Sequence, residues 1–336
     1  MNKMSADKKK AHIDLALQSQ TLRETRDTRF NYEPLLSAHP QGILKPFPFL
    51  GKTMRVPIWI SSMTGGTEAS MLINRNLARV CNEFGLGMGL GSCRTLLEDN
   101  LYPEHFLLRK YLGDEVPFYA NLGIVQIGKS LANNTVDRIS EMVDRLEADG
   151  LIIHVNPLQE WLQPEGEVIL QKPIDIIKEF IEQVNFPVIV KEVGQGMGPE
   201  SLRQLMSLPL EAVEFAAFGG TNFASLELQR SNQQIRQMLE PLSLIGNDAD
   251  VMLGSLNKLV HENKKLPVKQ IIISGGIKTF LDGYYFIRKS QVPAIYGQAS
   301  MFLKYAREDY ETLREFTLNQ IRGLEIAFAY LTLTED

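Results

Sequence analysis

The sequence predicts an α/β protein of the (β/α)8 TIM-barrel class, with an N-terminal extension and an insertion after the sixth strand. Three observations carry that expectation. Short apolar runs recur eight times between residues 56 and 296, most followed by apolar residues at helical spacing. They lie roughly 30 residues apart except at one doubled gap, the strand–helix–strand repeat that a barrel requires. Polar residues and glycines gather where the runs end, the face on which this architecture places its chemistry.

The 336 residues are 44% hydrophobic and 22% charged, enough apolar material for a large core. A formal net charge of −5 argues against nucleic acid as the main partner, because no positive field steers the chain onto phosphates. Two cysteines, Cys81 and Cys93, form neither a metal-spaced set nor a disulfide framework and suit a reducing compartment. The polar amino terminus does not read as a signal peptide, and no apolar run is long enough to span a bilayer. The expected location is therefore cytoplasmic, with no membrane partner.

Taken in order, residues 1–50 read as an N-terminal arm and extension packing on the barrel, and residues 51–336 as the catalytic barrel. The arm carries Lys8, Lys9, Lys10 and His12, then a helical stretch and a proline-punctuated segment. Such a basic arm is either a solvated tail or a flap over an anion. The eight runs are 56–62, 85–90, 117–122, 150–155, 186–191, 212–217, 270–274 and 293–296. Between them, Val136, Ile139, Val143 and Leu146, then Ile177, Phe180, Ile181 and Val184, form helical faces that cover the sheet. Residues 221–249 fill the doubled gap with a segment rich in Gln, Ser, Asn and Asp, either a lid or an excursion without function. A helical pattern from 301 to about 331 closes the chain.

The run ends are the test. The first leads into Ser61, Ser62, Met63, Thr64, Gly65 and Gly66, where glycines let backbone approach a flat ligand. The second gives Gly91, Ser92 and Arg94, suited to phosphate, with Cys93 beside them as a bystander. Asn121 and Gly123 end the third. The fourth opens the most polar stretch, His154, Asn156, Gln159 and Glu160: an imidazole, two carboxamides and a hard-metal ligand. The fifth ends in Lys191, costly to bury without an anion. Thr221 follows the sixth, Gly275 and Gly276 the seventh, and Gly297, Gln298 and Ala299 the eighth; the last two groups read as a phosphate cradle. The arrangement suits a flavin mononucleotide (FMN) across the barrel mouth. Beside it Arg94, His154, Asn156 and the arm make a second anion site, with Glu160 available for Mg2+.

These motifs resemble, along nearly the whole chain, the type 2 isopentenyl-diphosphate delta-isomerases, FMN-dependent barrels. The most specific part is His154, Asn156, Leu158, Gln159 and Glu160, followed by Pro164 and Gly166. The resemblance implies FMN contacts from Met63, Thr64, Gly65, Ser92, Asn121, Lys191 and Thr221, with the phosphate near Gly275, Gly276, Gly297, Gln298 and Ala299. It implies substrate diphosphate held by Lys8, Lys9, His12, Arg94, His154, Asn156 and Gln159, Mg2+ carried by Glu160, and a tetrameric or octameric homo-oligomer. The chain departs from the family where Lys8 replaces an arginine and where Asn222 and Phe223 replace Ser-Trp.

The implied reaction interconverts isopentenyl and dimethylallyl diphosphate by a 1,3 proton shift. No side chain in the set is an obvious acid toward a plain alkene, whereas reduced flavin can exchange that proton. Lys191 would then stabilise negative charge on the ring, Gln159 and His154 would serve near the alkene and diphosphate, and NADPH would be the reductant. Two rivals stand: an FMN-dependent 2-hydroxy acid oxidase or dehydrogenase, and a non-catalytic flavin-binding barrel. The first resembles enzymes with a His-Gly pair, and none of the histidines His12, His39, His105, His154 and His261 precedes glycine.

Overall fold

A barrel of eight parallel strands needs eight runs that bury both faces, and the apolar runs meet that condition. The computed structural model describes residues 3–42, 44–63, 68–98, 103–262 and 265–334, the side chains of 3–10, 68, 69, 98 and 103 excepted. Its strands are β1 (Phe30–Tyr32), β2 (Phe47–Phe49), β3 (Lys52–Met54), β4 (Ile58–Ile60), β5 (Gly87–Gly89), β6 (Phe118–Gly123), β7 (Gly150–His154), β8 (Val188–Lys191), β9 (Ala212–Glu214), β10 (Ile271–Ser274), β11 (Ala294–Gln298) and β12 (Leu331–Leu333). Its helices are α1 (Lys3–Gln18), α2 (Glu68–Phe84), α3 (Arg94–Glu98), α4 (Arg109–Leu112), α5 (Ile124–Ala132), α6 (Val136–Arg145), α7 (Pro157–Leu162), α8 (Pro173–Ile181), α9 (Pro199–Met206), α10 (Phe223–Arg230), α11 (Gln233–Ser243), α12 (Ala249–Glu262), α13 (Phe280–Lys289), α14 (Ser300–Ala306) and α15 (Tyr310–Tyr330). Each expected run meets one barrel strand, β6 extending one residue and β11 two residues past the expected ends. The closed order is β4 through β9 in sequence, then β10 and β11, with every neighbouring pair parallel.

Two cores result from the period-2 alternation of the strands. Outward residues such as Ile58, Ile153, Val190 and Ile273 join the helices in one large buried cluster. Inward residues Trp59, Tyr119, Ile152, Ile189, Ala212, Ile272 and Ile295 fill the lumen. The hairpin of β2 and β3 adds Phe49, Leu50 and Met54 to that same inner cluster, so it closes the amino-terminal floor of the barrel. Two residues further along each barrel strand, the inward positions change character to Ser61, Gly89, Asn121, His154, Lys191, Glu214, Ser274 and Gly297. The lumen is thus apolar below and polar at its carboxyl end.

The extension divides within itself. Residues 11–28 are exposed, whereas β1 pairs antiparallel with β12 and Arg29 meets Asp282 at 2.9 Å. A boundary at residue 50 falls inside the floor hairpin, because Phe49 and Leu50 belong to the lumen core. The doubled gap holds α10 and α11 ahead of α12, the helix between the sixth and seventh barrel strands. Asn222 caps α10, its side chain accepting from Ser225 N at 2.9 Å, and Asn232 caps α11 in the same way. Leu162 of α7 packs with Ala224 and Leu228 of α10 in a small separate core. The inserted segment is therefore docked on the stretch that carries Gln159 and Glu160. Among the described residues, no helix is long and apolar enough to cross a membrane.

Candidate active site

A cavity of about 370 Å³ opens at the carboxyl end of the barrel. Of the residues expected to hold the cofactor, it gathers Met63, Lys191, Thr221, Gly275, Gly276, Gly297, Gln298 and Ala299. Thr64 and Gly65 lie outside the described residues. Ser92 and Asn121 are not in its wall. Phe223 is in the wall, in the place where the family pattern has tryptophan.

One side of the cavity is bare backbone. Gly275 and Gly276 have φ of 91° and 74°, left-handed values that disfavour a side chain, and a Cβ on Gly275 would lie 2.1 Å from Ala217 O. Gln298 contributes only its main chain, because its carboxamide donates to Ile277 O at 3.1 Å and accepts from Gln320. Lys191 is 5% exposed and makes no hydrogen bond or ion pair among the described residues. A buried ammonium and bare glycines lining one cavity fit an anionic, phosphate-bearing group.

Glu214 is the wall residue that the sequence reading passed over. It is fully buried, and its Oε1 accepts from Ser61 Oγ at 2.5 Å and Ser274 Oγ at 2.9 Å. An acid within an apolar run is the same signal that singled out Lys191, its register partner across β8 and β9.

The polar stretch after β7 makes a second constellation. Asn121 Nδ2 donates to Leu90 O at 3.0 Å, which orients the amide so that its Oδ1 faces His154 Nδ1 at 2.8 Å. His154 therefore carries its proton on Nδ1 and presents Nε2 as an acceptor. Burial first, then the Lys191 cation, push its imidazole down to about 3. His154 is neutral in the free protein, and it takes a proton only where an anion is brought beside it.

Asn156 is buried and donates to Gln159 Oε1 at 3.2 Å and Glu160 Oε1 at 3.0 Å, while Glu160 Oε2 accepts from Glu167 N at 2.9 Å. Gln159 Nε2 donates to Glu227 Oε1 at 3.0 Å, and Glu227, 3% exposed, is held from its other oxygen by Arg230 at 2.7 Å. Glu227 is the second residue the sequence reading missed. It lies in the segment read only as a lid, and its meeting with Gln159 depends on α10 docking against α7. Arg94 faces Glu167 at 3.3 Å, and Lys129 pairs with that same carboxylate. No group of three or more His, Cys, Asp or Glu fit to hold a metal is found among the described residues. Glu160 is thus a single carboxylate there, and a hard cation beside it would need its other ligands from outside these groups.

The arm does not reach this site within one chain as far as it is described. His12 is exposed, and the side chains of Lys8 and Lys9 lie outside the described residues. His105 is buried, His39 lies edge-on to Tyr330, and His261 is exposed against Gln291, all apart from the cavity. Burial pushes Cys93 up to about 12, which leaves it an inert thiol.

No family model matches the chain. It is 34% identical over 308 residues to a protein of Rickettsia rickettsii (strain Sheila Smith) named isopentenyl-diphosphate delta-isomerase, covering 90% of this chain and 86% of that one. A Rickettsia africae protein of the same name is 33% identical over 316 residues, covering 93% and 89%. A Nostoc protein of that name is 32% identical over 317 residues, covering 92% and 87%. Among solved structures, a flavocytochrome b2 variant with sulfite bound superposes with a TM-score of 0.61 at 14% identity, over 89% of this chain and 71% of that one. A mandelate oxidase variant with the monooxide FMN adduct gives 0.56 at 12%, over 92% and 88%. At those identities the two structures share the barrel fold.

Proposed function

This chain belongs to the isopentenyl-diphosphate delta-isomerase family, and from that premise we propose that it interconverts isopentenyl and dimethylallyl diphosphate on FMN held in the barrel mouth. The observation that carries the reading is one rim bearing two kinds of site: a glycine-walled cavity with buried Lys191, and, beside His154 held by Asn121, the hydrogen-bonded set Asn156, Gln159, Glu160 and Glu227. When bound, the reduced flavin supplies a ring nitrogen acidic enough to exchange a proton with an alkene, and NADPH is the reductant we assign.

The chain's own groups do the rest. Lys191, buried and without a hydrogen-bond or ion-pair partner among the described residues, stabilises negative charge on the ring. Gly275, Gly276 and Gly297 to Ala299 hold the phosphate with backbone amides, and Met63 and Thr221 line the ring's place. The diphosphate falls to Arg94, His154 and Asn156, with Lys8, Lys9 and His12 closing from the arm. His154 Nε2 acts here as a proton acceptor that becomes a donor once the dianion raises its affinity. Glu160 carries Mg2+. Gln159 and Glu227 form the proton-handling pair at the alkene end: the Glu227 carboxylate would accept the proton, and the Gln159 carboxamide that donates to it would orient it. Because His12 stands exposed and away from the cavity, we assign the arm to closure over bound substrate or to a neighbouring subunit in a cytoplasmic homo-oligomer.

The test is direct. Purified protein is examined for a flavin spectrum, then incubated with isopentenyl diphosphate, Mg2+ and a reductant. Dimethylallyl diphosphate is expected only in the reduced, Mg2+-replete sample, and Glu227→Gln is expected to keep the flavin while losing turnover by roughly a hundredfold or more. Oxidation of lactate or glycolate would replace this reading with the 2-hydroxy acid oxidase, and bound flavin without turnover of either would replace it with the non-catalytic barrel.

A further inference from the structure

Glu214 lines the cavity and takes no part in the chemistry above. Ser61 and Ser274, at the ends of β4 and β10, both donate to its Oε1, so the carboxyl group is fixed from two sides. Its Oε2 is buried and makes no hydrogen bond among the described residues. A buried carboxyl oxygen is satisfied in nearly all proteins, so a donor is owed to this one. Lys191, its register partner, makes no ion pair with it among the described residues.

The place of Glu214 on the ring of strands indicates the donor. Lys191 is on β8, Glu214 on β9, and the glycine cradle follows on β10 and β11. A ligand with its ring at Lys191 and its phosphate at Gly275, Gly276 and Gly297 crosses β9 in between. In FMN the segment between ring and phosphate is the ribityl chain, which carries hydroxyl donors. We infer that Glu214 is a cofactor-binding residue whose Oε2 accepts a hydrogen bond from a ribityl hydroxyl. The inference rests on the FMN reading above and adds to it a residue that discriminates hydroxylated from plain side chains.

Glu214→Gln keeps the shape and the acceptor for both serines, and it exchanges Oε2 for an amide donor. Apoprotein is titrated with FMN and with a flavin phosphate whose side chain is an unhydroxylated pentyl chain, binding being read from quenching of flavin fluorescence. The wild-type protein is expected to bind FMN roughly tenfold or more tightly than the pentyl analogue, and Glu214→Gln to bind FMN weaker by a similar factor. In the variant the difference between the two ligands should largely vanish, which marks direct coupling rather than a disturbed cavity. The same ligand preference in both proteins overturns the assignment. If the variant does not fold, the wild-type pair of titrations decides alone, equal affinity for the two ligands overturning it. Wild-type protein that quenches neither flavin overturns the cofactor reading, and this assignment with it.

Discussion

At the scale of single residues, the site depends on which groups are charged before anything binds. His154 is neutral because desolvation outweighs every favourable contact and Lys191 adds to the effect. Unfolded, its imidazole regains the ordinary value of 6.5; folded, it is held near 3. Between those values the unfolded chain binds a proton that the folded chain does not, so this residue lowers stability as pH falls through that window, the loss being complete below about 3. The slope is at most about 1.4 kcal/mol per pH unit. Urea unfolding at about pH 7 and pH 5 is expected to show the wild type losing about 1–2 kcal/mol more than His154→Gln. Equal losses would mean that His154 titrates as a solvated imidazole.

At the scale of elements, two small additions to the barrel matter more than their length suggests. The hairpin of β2 and β3 contributes Phe49, 2% exposed, to the lumen floor, where Trp59 and Tyr119 also lie. Phe49→Ala removes that plug from among the lumen side chains, and is expected to cost about 3–5 kcal/mol in denaturant unfolding. A cost below about 1 kcal/mol would show the hairpin to be a loose appendage. The insertion docks α10 on α7 through Leu162, Ala224 and Leu228, and that contact brings Glu227 to Gln159. The segment's polar composition marked it as an addition, yet the residue that meets Gln159 was hidden: an acid on a short amphipathic helix has no distinguishing spacing of its own.

At the scale of the whole molecule, the barrel and its arm are separable in energy. Residues 11–28 are exposed and add nothing to either core, while the chain from Phe30 onward is tied in by β1 and β12. Deleting residues 2–20 is expected to leave the thermal midpoint nearly unchanged, because little apolar surface is returned to water. The same deletion should raise KM for isopentenyl diphosphate by roughly tenfold or more through the lost cations. An unchanged KM would return the arm to the status of a solvated tail.

What the sequence determined alone was periodicity and chemistry. Eight apolar runs of strand length, with Lys191, Gly275 and Gly297 at their ends, specify a closed barrel with a polar mouth, because burial on both faces and the cost of a desolvated charge are written locally. The pairing of residues far apart in the chain was decided only by the tertiary structure. Glu227 reaches Gln159 by helix docking, Glu214 takes serines from two other strands, and the tautomer of His154 follows from the way Leu90 O turns Asn121. Hydrogen bonds and pKa values depend on distances of a few ångströms between elements, and no spacing along a chain encodes those.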